Sequence, residues 1–198
     1  VSCDTVGRGY TLNNLATAYL YKGEYKPALR YFAMAQNLAD QTGDYELIVN
    51  TMVNTGLLYL EQKKYAEALA LYQSALSKAC SAHDLFSEAV ITINMGDVYR
   101  NRGEAEAAFS HYQKGLELAH DIESPEVVAD CHVNMGRLAQ QNNKLTEANE
   151  HFVQALRVYE ELESRKKIGS TLTAMGVSLL QKGYLYRWLH RTNILNMD

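Results

Sequence analysis

Along most of the chain apolar side chains return every third or fourth residue, the spacing of one face of a helix. Thr92, Met95, Gly96 and Tyr99 form one such stripe, and Leu12, Leu15, Ala16, Tyr19 and Met52, Thr55, Gly56, Tyr59 form others. Polar residues punctuate the stripes. Asp44, Asp84, Ser124 and Ser164 stand where helices would start, with Glu88 close behind Asp84 and Pro125 directly behind Ser124. Such side chains accept a hydrogen bond from an otherwise unpaired N–H of the first turn, and proline suits the first helical position. Gly23, Lys63, Gly103, Asn143 and Gly183 mark breaks between the starts. The pattern predicts antiparallel helix pairs joined by tight turns, residues 45 to 62 and 65 to 80 being one pair.

The same pattern returns without gaps every 40 residues. That step links Asn14, Asn54, Asn94 and Asn134, and it links Ala16, Gly56, Gly96, Gly136 and Gly176. In the second helix of each pair it links Ala28, Ala68, Ala108 and Ala148, then Phe32, Tyr72, Tyr112 and Phe152, then Ala35, Ala75, Gly115 and Ala155. Self-similarity at a fixed step of this size predicts an all-α solenoid, in which each unit buries its apolar face by stacking on the next.

Glycine in the first helix with a tyrosine three residues on, then Ala, aromatic and Ala in the second, resembles the tetratricopeptide repeat. The step of 40 is similar to the longer repeats of Pins-type polarity adaptors, and "TLNNLATAYLYKGEYKPALRYFAMA" is similar to kinesin light chain repeats. The resemblance implies a right-handed superhelix of about five antiparallel helix pairs in one domain, residues 1 to 198. Its repeats would be 4–43, 44–83, 84–123, 124–163 and an irregular or capping 164–198. The family's proline near the end of the second helix is replaced by Asp40, Cys80, His120 and Glu160, as second helices that run on would require. In "YLYRWLHRTNILNMD", Leu185, Trp188, Leu189, Thr192 and Leu195 form a mostly apolar stripe that reads as a terminal cap, a foreign tail being the alternative.

Gly96 and Asn94 are poor helix formers, Gly by about 1 kcal/mol relative to Ala. Gly96 lies on the apolar stripe and is expected to let the partner helix approach with no side chain between the backbones. Asn94 lies two residues earlier, about 200° around the helix, and points away from that stripe. Its side also carries Val90, Asp97 and Asn101; the equivalents are Tyr10, Asn14, Thr17, Tyr21, then Asn50, Asn54, Leu57, Glu61, then Asp130, Asn134, Arg137, Gln141.

The resemblance implies that this side lines a concave groove. First helices stacked roughly 8–10 Å apart would offer a carboxamide to about every third residue of an extended strand. A carboxamide both donates and accepts, so it can hold a peptide main chain whatever its sequence. Asn14, Asn54, Asn94 and Asn134 are the expected grip. Tyr10, Tyr21, Leu57, Asp97, Arg100, Arg137 and Gln140, which vary between repeats, would set specificity. The bland alternative is that the asparagines bond only each other along the stack, or persist from duplication.

Composition narrows the partner. Lys and Arg total 19 against 23 Asp and Glu, a net charge of −4, which disfavours phosphate-backbone binding and an RNA groove. The two-carboxylate clamp of chaperone-tail binding needs Lys or Arg at set groove positions. This chain has Asn13, Thr17, Asn54, Val90 and Asn94 there in one register and Val53, Leu57, Asn94, Asp130 and Asn134 in the next, so a ligand ending in a free Asp carboxylate is not expected. Cys3, Cys80 and Cys131 match no zinc or redox spacing and read as free thiols of a cytoplasmic protein. His83, His111, His120, His132, His151 and His190 hold no HExxH and no i, i+4 pair. Cys131 and His132 are sequence neighbours and so do not face each other on a helix. No P-loop, GxGxxG or GxSxG is present, no metal or cofactor is implied, and the 14 tyrosines fall largely on core stripes. No apolar run reaches membrane length. The start lacks both signal-peptide features and an initiator Met, which predicts a fragment of something longer. The expected function is a non-enzymatic adaptor for a partner's peptide segment; a spacer or self-association module using the convex surface is the alternative.

Overall fold

The structure, a computed structural model, describes residues 3–181. The break at Gly183, the stripe from Leu185 to Leu195 and His190 lie outside the described residues. Among the described residues nine helices follow one another through turns of two or three residues: α1 Cys3–Tyr21, α2 Tyr25–Thr42, α3 Tyr45–Glu61, α4 Tyr65–Ala82, α5 Leu85–Arg102, α6 Ala105–Asp121, α7 Pro125–Gln141, α8 Leu145–Glu161 and α9 Arg165–Gln181. Two compact units divide the chain, Val1–Arg102 and Gly103–Asp198. In the first, successive helices α1 to α5 pack pairwise and α3 also touches both α1 and α5; in the second, α6 to α9 pack in sequence and α7 touches α9.

The helix ends explain the regularity. Asp44 caps α3, accepting from the Leu47 N–H at 2.8 Å, and Asp84 accepts from Ser87 at 3.0 Å. Ser124 accepts from Val127 at 3.5 Å, with Pro125 opening α7. Gly23, Lys63, Gly103 and Asn143, the expected breaks, all have left-handed backbones, and so do Gly43, His83, Glu123 and Glu163 between repeats. At Lys63 the chain closes with two bonds, Lys63 N–H to the Leu60 carbonyl and Lys64 N–H to the Tyr59 carbonyl, both 2.8 Å. These bonds satisfy carbonyls that the helix end leaves open and hold a side-chain-bearing residue in a conformation that favours glycine.

The second helices supply the core that the 40-residue step predicts. Ala28, Ala68, Ala108 and Ala148 are buried, as are Phe32, Tyr72, Tyr112 and Phe152 one turn on. Each large ring removed from water contributes about 1.5–3 kcal/mol, and the alanines allow neighbouring backbones to close around it. Gly56 and Gly136 of the first helices are filled differently from the role expected of their equivalent Gly96. What lies over them is a ring rather than the partner's backbone: a Cβ on Gly56 would stand 2.5 Å from Tyr72 Cε1, and one on Gly136 2.7 Å from Phe152 Cε1.

The first helices bury more than one stripe. Leu15, expected in the core, is 38% exposed, whereas Asn13 is only 5% exposed. Its equivalents Ile93 and Val133 are also buried. α1, α3 and α7 each pack against their own second helix on one side, and on the other α3 touches α1 and α5 while α7 touches α9, so a second flank beginning at Asn13 is lost to water. This flank lies next to the asparagine column and decides how much of each carboxamide is open.

Candidate functional site

The four asparagines share a helical position but not an environment. Asn14 is exposed on α1, Asn54 on α3 and Asn94 on α5 are half-buried, and Asn134 on α7 is buried at 8% exposure. Asn54 Nδ2 donates to Asn13 Oδ1 at 3.3 Å, a lateral contact from α3 to α1 that uses one of its two amide hydrogens. Reading the asparagine column alone missed Asn13, the partner that orients it.

Among the expected specificity residues, Tyr21 is 79% exposed and Arg137 is exposed. Leu57 is half-buried and packs against the apolar clusters around Tyr72 and Phe32. The Tyr10 hydroxyl donates to Asp44 Oδ1 at 3.2 Å, tying α1 to the cap of α3. Burial, then the charges of Asp44 and Glu46, push its pKa up to about 12, so it stays a donor. Tyr45 repeats the device one unit later, donating to Asp84 Oδ2 at 3.0 Å. Asp97 and Arg100 form an ion pair within α5 at 3.1 Å. Gln140 Nε2 donates to the Ala174 carbonyl at 3.2 Å, joining α7 to α9. Tyr10 and Gln140 are thus already committed to the protein itself.

On α7, Asp130 occupies the position of Tyr10 and accepts from the Tyr159 hydroxyl and from Lys167 Nζ at 2.7 and 2.8 Å. Lys167 also reaches Glu126 at 2.9 Å and lies 5.4 Å from the centre of the Tyr159 ring. Desolvation alone would lower the Lys167 pKa; the bonds to Asp130 and Glu126 outweigh it and raise the value. The charges on this face are therefore largely satisfied within α7, α8 and α9.

A contact the spacing did not flag joins His132 of α7 to His151 of α8, their Nδ1 atoms 3.1 Å apart. The available signal was that these residues stand two periods after Met52 and Leu71, which share one apolar cluster, with His111 one period before His151. Cys131 is fully buried and its thiol is pushed up to about 12, chiefly by burial, so it is no nucleophile at neutral pH. Among the described residues no three His, Cys, Asp or Glu gather as metal ligands, and no helix is long and apolar enough to cross a membrane. A separate apolar cleft of about 470 Å³ opens between α2 and α4 over α3, lined by Leu29, Phe32, Ile48, Met52, Tyr59 and Leu71.

The profile of the MalT-like TPR region matches residues 3–187. The chain belongs to that family. The fold of this TPR region is similar to a Rap protein solved in complex with Competence and Sporulation Factor, at 14% identity and a TM-score of 0.81 over 92% of this chain and 51% of that one. It is similar to BtubC (BKLC) from P. vanneervenii, at 17% identity and a TM-score of 0.74 over 98% of this chain and 83% of that one. It is also similar to a signal transduction ATPase with numerous domains, which carries a tetratricopeptide repeat sensor, from Pyrococcus horikoshii. There the identity is 17% and the TM-score 0.69, over 89% of this chain but only 28% of the ATPase. No curated protein matches the sequence. At these identities the likeness is one of fold, and the TPR region corresponds to a part of the Rap and ATPase chains.

Proposed function

We propose that this TPR region is a non-enzymatic cytoplasmic adaptor that holds an extended peptide segment of a partner protein on the amide-bearing faces of its first helices. The observation that carries the reading is the carboxamide recurring at one helical position. Asn14, Asn54 and Asn94 lie on neighbouring helices of the first unit with their side chains wholly or partly open to solvent, and Asn134 holds the same position on α7. Asn54, steadied by Asn13, keeps its carbonyl oxygen and a second amide hydrogen for a guest's main chain.

Each such bond contributes a net of about 0.5–1.5 kcal/mol. Micromolar affinity requires about 8 kcal/mol. The asparagines alone fall short, so within the first unit apolar contacts to Leu57 and Tyr21 and polar contacts to Asp97 and Arg100 complete the grip and discriminate between guests, with Tyr10 framing that face; Arg137 and Gln140 serve the same role beside Asn134 on the second unit. The Rap protein of similar fold holds Competence and Sporulation Factor, and the same use of a repeat fold supports a bound segment here. The net charge of −4 argues against nucleic acid as the guest.

The test is to pan a random peptide display library against the chain and add an enriched peptide to isotope-labelled protein. Side-chain amide resonances of Asn14, Asn54 and Asn94 are expected to shift together. Binding that leaves all three unmoved overturns the reading. A second reading, self-association, draws on the apolar cleft between α2 and α4. It requires a sedimentation coefficient that rises with protein concentration.

A further inference from the structure

Two periods before His132 and His151 stand Met52 and Leu71, which belong to one apolar cluster of the first unit. The fourth repeat replaces them with two imidazoles, each about half-buried, on adjacent helices. The Nδ1 atoms are 3.1 Å apart and the ring centroids 5.4 Å apart. Centroids this distant at that nitrogen separation place the two Nδ1 atoms nearly end to end. That is the geometry of an N–H···N bond, not of two ligands converging on one ion.

Such a bond needs a hydrogen on one Nδ1 and none on the other. A neutral pair meets the need with two different tautomers. A pair with one extra proton also meets it, the imidazolium donating to the neutral ring. A doubly protonated pair cannot: two N–H groups then face each other and two positive charges repel. We propose that His132 and His151 form a proton-operated latch that holds α7 to α8 until the second proton arrives and then releases them.

The surroundings set the order of events. Burial, then the charge of His151 and then that of His120 on α6, holds His132 below its ordinary value. Burial also lowers His151, against the opposing pull of Glu147 and Glu150 on its own helix. His151 therefore takes the first proton, and His132 meets the second beside an existing positive charge. Cys131, the neighbouring thiol, stays neutral in this range. From α9 no charged group acts on either ring among the described residues. Both rings bind protons less readily folded than unfolded, so their contribution to stability is complete above about pH 6.5 and is lost as pH falls through the depressed values.

The substitution pair His132→Met and His151→Leu installs what the second repeat already uses. Thermal melts from pH 7.5 to 5 are expected to show the wild-type Tm falling by roughly 2–4 °C more than that of the double variant. Ring nitrogen NMR of the wild type is expected to show different tautomers for the two rings at neutral pH and His151 titrating before His132. Equal acid sensitivity in both proteins overturns the latch, and so do two rings of the same tautomer titrating together at the ordinary histidine value. If the double variant does not fold, the NMR titration decides alone.

Discussion

The ring of Tyr72 on α4 occupies the space where a Cβ on Gly56 of α3 would stand, its Cε1 2.5 Å from that position. Helix propensity favours Gly56→Ala by about 1 kcal/mol. Overpacking against a fully buried ring costs about 1–3 kcal/mol. The ring is expected to win, so Gly56→Ala lowers the urea midpoint modestly and Gly56→Val lowers it further. The first repeat places Ala16 beside Phe32 at the corresponding positions, so combining Gly56→Ala with Tyr72→Phe is expected to recover part of the loss.

Tyr72 carries a second tension. Its hydroxyl is buried with no hydrogen-bond partner, and burial is the first cause that drives its pKa upward. An unmet buried donor costs about 1–3 kcal/mol. Phe32 and Phe152 stand at the equivalent positions without one. Tyr72→Phe is expected to leave stability unchanged or raise it by about 1 kcal/mol, read as a higher midpoint in urea.

The turn residues offer a gain without new contacts. Lys63 has φ of 59° and Glu123 φ of 50°, both left-handed. A side chain in that region costs roughly 1 kcal/mol relative to glycine. Lys63→Gly is expected to raise the melting temperature despite glycine's freer unfolded chain, because the two closing bonds of the turn remain. A lowered melting temperature contradicts this account of the turns.

Asp84 links a helix cap to pH. Burial raises its pKa, but bonds from the Ser87 side chain and backbone and from Tyr45 outweigh this, so the carboxyl lies below its ordinary value. The stability it contributes is present above the unfolded carboxylate's pKa and is lost as pH falls through the depressed value. Asp84→Ala is expected to cost about 1 kcal/mol at neutral pH, with the difference from wild type narrowing in strong acid. A difference that stays constant down to pH 2 rules out the linkage.

The second helices were legible in the sequence because they bury one narrow stripe. Ala28, Phe32, Ala35 and their equivalents follow the helical period, and all are buried. The turns were legible too, even at Lys63, because position within the period carried the information that residue type did not. The first helices were less so. They are covered on two flanks, so Asn13 is buried while Leu15 is exposed, and Asn134 reaches only 8% exposure at a position that leaves Asn14 open. Helical period alone cannot separate a flank covered by a neighbouring first helix from one open to solvent. The His132 and His151 contact was hidden for a related reason, since it joins two helices and obeys no spacing within either.

The central claim is that the carboxamide column grips a guest's main chain. Its most direct test is fluorescence anisotropy of a display-selected peptide with the wild type and with Asn54→Ala combined with Asn94→Ala. The account predicts a weakening of roughly tenfold or more in a variant that still folds, its melting temperature lowered by a few degrees because Asn54→Ala leaves the buried Asn13 carboxamide without its partner. An affinity equal to wild type in a folded double variant contradicts it.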